Sequence, residues 1–111
     1  MDLWTQIEAD MATLQERVGE LRTRGYEKAV ADAEYRKAKA LAILEARADG
    51  QPAAIAKDVV YERPDMYRAL LKRDSAETMY ASCFEEINAL KLQIRICEAQ
   101  LEREWGQAKR S

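Results

Sequence analysis

Residues 65–105 read DMYRALLKRDSAETMYASCFEEINALKLQIRICEAQLEREW, and this stretch decides the fold. It holds neither Pro nor Gly. Met66, Ala69, Arg73, Ala76, Tyr80, Cys83, Ile87, Leu90, Ile94, Cys97 and Leu101 follow one another at alternating steps of 3 and 4. From Tyr80 onward every member is apolar. That is the repeat of a helix that packs along another helix. Leu70, Phe84 and Trp105 widen the face. The spacing predicts a helix over about 65–109. Pro64 starts it, because its fixed φ suits the first helical turn and holds Arg63 extended. Asp65 complements the positive end of the helix dipole.

A second stripe precedes it. Ile7, Met11, Leu14, Val18 and Leu21 step by 4, 3, 4, 3, and Leu3 and Trp4 extend them toward the N-terminus. The phase slips by a step of 5 from Leu21 to Tyr26, near Gly19 and Gly25, and resumes through Val30, Ala33, Leu41, Leu44 and Ala48. Two readings fit: one irregular helix over about 2–49, or two helices broken near Gly25, with room for a compact three-helix fold. The alanines and charged residues of 27–48 are strong helix formers and favour the continuous helix. Gly50, Gln51 and Pro52 stop it. Residues 50–64 form the connecting turn, in which Pro52 opens a short helical turn through Lys57, and Val59, Val60 and Tyr61 break the helical habit.

Two amphipathic helices joined by so short a connection become antiparallel neighbours. With the turn centred near residue 57, Trp4 meets Trp105, Ile7 and Met11 approach Leu101, Tyr26 approaches Phe84 and Leu44 approaches Leu70. The expected fold is all-α: a long antiparallel, coiled-coil-like helical hairpin in a single domain. Two helices leave apolar surface uncovered in so small a chain, so the hairpin is expected to form a homodimer as a helical bundle. The packing seam is assigned to Trp4, Ile7, Leu14, Phe84, Ile87, Leu90, Ile94, Leu101 and Trp105.

Composition excludes several classes. The chain has 111 residues, 18 Lys and Arg against 20 Asp and Glu, 48% hydrophobic residues, 19 Ala and no His. It is too apolar for a disordered chain and lacks the basic excess of a general nucleic-acid binder. No apolar run reaches a membrane-spanning length, and no signal peptide opens the chain. Without His there is no Ser-His-Asp or Cys-His arrangement and no His-bearing zinc or di-iron pattern. The four glycines are scattered and form no phosphate cradle. Glu62 and Asp65 have the spacing of the magnesium-binding pairs in helical nucleotide pyrophosphatases, but Pro64 stands between them, and Asp74 with Glu77 lacks a matching second pair. No catalytic residue, metal or cofactor is assigned. Cys83 and Cys97 lie 14 residues apart, about 21 Å along a helix, beyond the ~7 Å reach of a disulfide. They read as small buried apolar residues in a reducing cytosol, with a disulfide between chains or a reactive thiol as the alternatives.

Arg73, Asp74, Ala76 and Glu77, then Glu86, Ile87 and Asn88, then Glu102 to Trp105 carry a resemblance over about residues 45–106. The chain resembles small helical proteins of unknown function encoded by tailed phages and prophages of Gram-positive bacteria. The resemblance implies an accessory protein acting in the host cytoplasm and carries over no catalytic residue.

Candidate binding residues fall in two groups. Lys57, Tyr61, Arg63, Tyr67, Arg68, Lys72 and Arg73 gather near the turn, suited to a phosphate or an acidic protein surface or to a plain solvated tip. Lys91, Arg95 and Arg103 form a basic rail along the second helix, interleaved with Glu98, Glu102 and Glu104. Asn88 stands at the seam's edge as a register-setting group or an exposed shoulder residue. Trp4 and Trp105 read as a paired cap at the open end or as a patch for a partner. The expected function is non-enzymatic binding to a host or phage protein, including inhibition of a host defence factor. The alternatives are a nucleic-acid accessory factor in phage recombination or replication and a structural scaffold.

Overall fold

The helices are fixed by their ends. In the computed structural model, which describes residues 2–110, Asp2 accepts the backbone N–H of Thr5 at 2.7 Å and caps the first helix. This bond holds the Asp2 carboxyl below the usual carboxylate range. Helix α1 runs Leu3–Ala48 without interruption, so Gly25 breaks nothing. It ends where Gly50 takes φ 90, a conformation costly for any residue with a side chain. There the Gly50 N–H donates to the Arg47 carbonyl and the Gln51 N–H to that of Ala46, the paired bonds of a Schellman stop.

The connection is more helical than expected. Pro52 precedes α2 (Ala53–Val59) in extended geometry. A 3-10 turn, Val60–Glu62, follows directly. Helix α3 then runs Pro64–Arg110. Arg63 is extended, as the residue before Pro must be. The chain is thus an all-α helical hairpin. It divides into two compact units. Unit one joins the chain up to Thr23 with Ala81 onward, and unit two is Arg24–Tyr80.

In unit two the core gathers Tyr35, Ala42, Val60 and Met66, with Ile43 and Leu70 packed against it. Met66 and Val60 have no exposed surface; full burial of such a side chain stabilises by about 1.5–3 kcal/mol. In unit one the buried apolar residues are Ile7, Cys83, Ile87 and Ile94.

The inner face of α3 follows the stripe read from Met66 to Leu101: every member is buried or half-buried. The inner face of α1 does not follow its stripe. Buried and half-buried positions run Ile7, Asp10, Leu14, Arg17, Leu21, Arg24, Lys28, Ala31, Tyr35, Ala38 and Ala42, an unbroken alternation of 3 and 4. Met11 and Val18 are exposed, as are Tyr26, Ala33, Leu41, Leu44 and Ala48, and Val30 is half-buried. The apparent phase slip arises because the true seam carries Asp10, Arg17, Arg24 and Lys28. Long basic side chains lay their aliphatic stems along such a seam while the charges reach water.

The register differs too. Arg17 pairs with Glu86 at 2.8 Å, whereas a turn centred at residue 57 would set it opposite residues 93–97. Arg63 reaches Glu45 at 2.6 Å and Lys72 reaches Glu34 at 2.7 Å. The Schellman stop folds the chain back sooner than assumed. The expected Leu44–Leu70 pair is replaced by Ile43 and Leu70 on one cluster, with Leu44 66% exposed. Tyr26 and Phe84, the other expected pair, are both largely exposed.

Two substitutions check this phase. Met66→Ala should destabilise by about 2–5 kcal/mol, and Leu44→Ala by no more than about 0.5 kcal/mol, in urea unfolding followed by circular dichroism. Gly19 sits within α1 with open space where a Cβ would be. Gly19→Ala should therefore stabilise by about 0.5–1 kcal/mol; a loss of stability would mean that the helix does not run through it.

Candidate functional site

The basic cluster near the turn is largely engaged within unit two. Arg63 is held by Glu45 and by Asp65 through two bonds. Its pKa is raised, first by the Asp65 bond and then by Glu45, and Asp65 is lowered in return. Lys72 donates to Glu34. Arg73 bonds Asp74, which raises its pKa, and its guanidinium lies 4.1 Å from the ring centre of Tyr35. Tyr61 is half-buried, with its hydroxyl 2.6 Å from that of Tyr35. Of the seven candidates, Lys57, Tyr67 and Arg68 are exposed, with no side-chain hydrogen bond or ion pair among the described residues.

Tyr35, Tyr61, Lys39 and Arg73 form one stacked polar group. Lys39 lies 5.5 Å from the Tyr61 ring centre. Either hydroxyl can donate in this bond, which pushes Tyr35 up and holds Tyr61 down, with Lys39 favouring the Tyr61 phenolate. Lys39 is raised by the same contact. A phenol held low beside a cation suits a proton relay, yet the group sits against the core cluster and ties α1 to the connection. Its geometry is that of a structural clasp.

The seam assignments divide. Ile7, Ile87 and Ile94 are buried, and Leu14, Leu90 and Leu101 are half-buried. Trp4, Phe84 and Trp105 lie outside the seam, with Trp4 61% and Trp105 66% exposed. The indoles do not form a buried cap. Together with Leu101 and Glu102 they line one shallow hollow of about 410 Å³. Asn88 is exposed. Among the described residues the buried polar residue of the seam is Asp10, whose Oδ1 accepts from Gln6 at 2.9 Å and whose Oδ2 has no partner there. Cys83 is buried, its thiol 3.5 Å from the Arg17 carbonyl, and Cys97 is half-buried.

An exposed apolar flank emerges in unit one. Trp4, Met11 and Val18 stand seven residues apart and so share one side of α1. Phe84 and Trp105 stand three heptads apart on α3. Because Trp4 and Trp105 line the same hollow, these two flanks face the same way. The opposite side is mixed: Thr13, Arg17, Glu86, Ala89, Leu90 and Gln93 line another hollow, crossed by the Arg17–Glu86 pair, and Leu92 and Ile96 are exposed elsewhere on α3. Lys91 and Arg95 are exposed on the apolar side, without ion pairs among the described residues. The repeat of Trp4, Met11 and Val18 at intervals of seven was visible in the sequence, but it read as seam because large apolar residues are assumed to point inward.

Compared with family models, curated proteins and solved structures, the chain matches none. Among the described residues no helix is long and apolar enough to cross a membrane.

Spectrophotometric titration should resolve one tyrosine ionising below the ordinary value and one above it. Tyr61→Phe should abolish the low step and bring Tyr35 back toward the ordinary value. Five tyrosines titrating together would contradict the clasp.

Proposed function

We propose that the chain is a non-enzymatic protein-binding module and that the apolar flank of unit one is its docking surface. The observation that carries this reading is the gathering of aromatic residues on that side. Trp4, Met11, Val18, Phe84 and Trp105 are all exposed there, while the exposed large apolar residues elsewhere on α3 of this unit, Leu92 and Ile96, are aliphatic. Exposed aromatic residues gathered in a patch are the usual anchors of protein interfaces. The proposed setting, a phage- or prophage-encoded accessory protein acting on a host or phage protein such as a defence factor in the cytoplasm, rests on the resemblance of residues 45–106 alone.

The nucleic-acid reading has less in its favour. Carboxylates already hold Arg63, Lys72 and Arg73. On α3 the cations Lys91 and Arg95 run straight into Glu98 and Glu102, which repel a phosphate backbone.

The test uses immobilised full-length chain in bacterial lysate, beside the triple variant Trp4→Ala, Phe84→Ala, Trp105→Ala. The wild type should retain a protein, either another species or untagged copies of itself, that the variant releases. Equal retention by both would remove the flank as the docking surface.

A further inference from the structure

The flank carries a pattern that names its occupant. From Phe84 the exposed stripe of α3 runs through Asn88, Lys91, Arg95, Glu98 and Glu102 to Trp105, at alternating steps of 4 and 3. An aromatic residue stands at each end, Lys91 lies before the centre, Glu98 and Glu102 after it, and Arg95 at the centre. Lys91, Arg95, Glu98 and Glu102 have no ion pair among the described residues. The ends of the stripe and its Lys91 and Glu98 are complementary to their own reverse, while Arg95 falls beside the copy's Arg95, where its long side chain turns out to water. Laid antiparallel on a copy of itself, Phe84 falls beside the copy's Trp105, and Lys91 beside the copy's Glu98.

The stripe on α1 has the same symmetry about the same level. Trp4 and Val18 are equidistant from Met11. The Trp4–Trp105 hollow sets the level at one end, and the Arg17–Glu86 bond sets Val18 near Phe84 at the other. The centre of the α1 stripe, Met11, therefore lies within about one helical turn of the centre of the α3 stripe, near Arg95. A single two-fold axis passing by Met11 and Arg95 serves both helices at once. An isologous contact requires this of its residues, that each find its partner's counterpart across one axis.

We infer that the flank is the face on which a second copy of this chain docks, antiparallel and two-fold related, forming a four-helix layer from the two copies of unit one. The inference rests on the reading of the flank as a docking surface and names its partner. The stripe is about 32 Å long and two helices of about 10 Å wide, which gives a footprint on the order of 600 Å² per copy. The two copies together then bury on the order of 1,200 Å², above the about 1,000 Å² in total that a specific interface must clear and at the small end of stable ones. The contact closes on itself, so it yields dimers and no longer polymers.

The test is sedimentation equilibrium of the full chain at several concentrations, with circular dichroism confirming helicity of each variant. The wild type should be a dimer. Trp105→Ala should raise the dissociation constant about 30-fold or more, as loss of a large aromatic anchor covered by the partner does. Lys91→Glu and Glu98→Lys should each raise it about tenfold, because symmetry makes each pair occur twice and reversal sets like charges together. The double variant K91E/E98K should return to within about threefold of wild type, since the swapped charges meet across the axis. Residues 91 and 98 are seven apart on one helix, too far for the rescue to arise within a chain. A wild type that stays monomeric at about 100 µM overturns the inference. If that monomer still captures another protein through the flank, the docking reading survives; if it captures nothing, both fall. A dimer indifferent to Trp105→Ala and to both reversals dimerises elsewhere and overturns the inference; the docking reading then stands or falls with capture of another protein through the flank. Open-ended association overturns the closed two-fold contact.

Discussion

The interface between α1 and α3 within each unit sets the terms for everything else. Two helices can bury only one stripe apiece, and the α1 stripe is poor in large apolar side chains. It is made of Ile7, Leu14, Leu21 and Tyr35, three alanines, and the polar Asp10, Arg17, Arg24 and Lys28. Hydrophobic stabilisation scales with apolar area removed from water, so this seam contributes less per turn than a leucine-rich one. The structure compensates locally. Unit two has its Met66–Val60 core and the Tyr35–Tyr61 clasp. Unit one has the isoleucines 7, 87 and 94, and the Cys83 thiol set 3.5 Å from the Arg17 carbonyl. The apolar residues that the α1 seam does not use, Met11 and Val18 among them, lie on its outer flank.

That partition links packing to function. Large apolar groups at Trp4, Met11, Val18, Phe84 and Trp105 do little for an isolated unit one, because they remain in contact with water. Their contribution is gained when something covers them. Polar residues in the seam add specificity of a different kind. Asp10 is buried, and one of its carboxylate oxygens has no partner among the described residues. Such a group disfavours pairings that would seat it against a fully apolar position, as buried polar residues do in coiled coils. The seam gives up some stability there, while the flank keeps its large side chains for association.

How much of this could be read beforehand follows from the same partition. The α3 stripe from Met66 to Leu101 was legible residue by residue, because on that helix the apolar side chains do line the seam. The helix ends were legible too: Gly50 needs a positive φ, and Pro64 dictates the geometry of Arg63. On α1 the assumption that large apolar residues point inward selected Met11 and Val18 in place of Asp10 and Arg17. It then required a phase slip at Gly25 that the helix does not contain. The register was out of reach because it depends on how α2 and the 3-10 turn fold the chain back, a matter of backbone path that no periodicity encodes. The basic cluster near the turn was legible as a cluster; that Glu34, Glu45 and Asp74 neutralise much of it was not, since two of those partners lie on α1, far away in sequence.

The register itself is open to direct observation. Gly25 lies against the ring of Tyr80, with 3.4 Å from an ideal Cβ at the glycine to Tyr80 Cε2. In solution NMR the α-protons of Gly25 should show a strong nuclear Overhauser effect to the Tyr80 ring protons. Absence of that effect, with Gly25 instead coupled to side chains of residues 85–89, would contradict the seam on which this account stands.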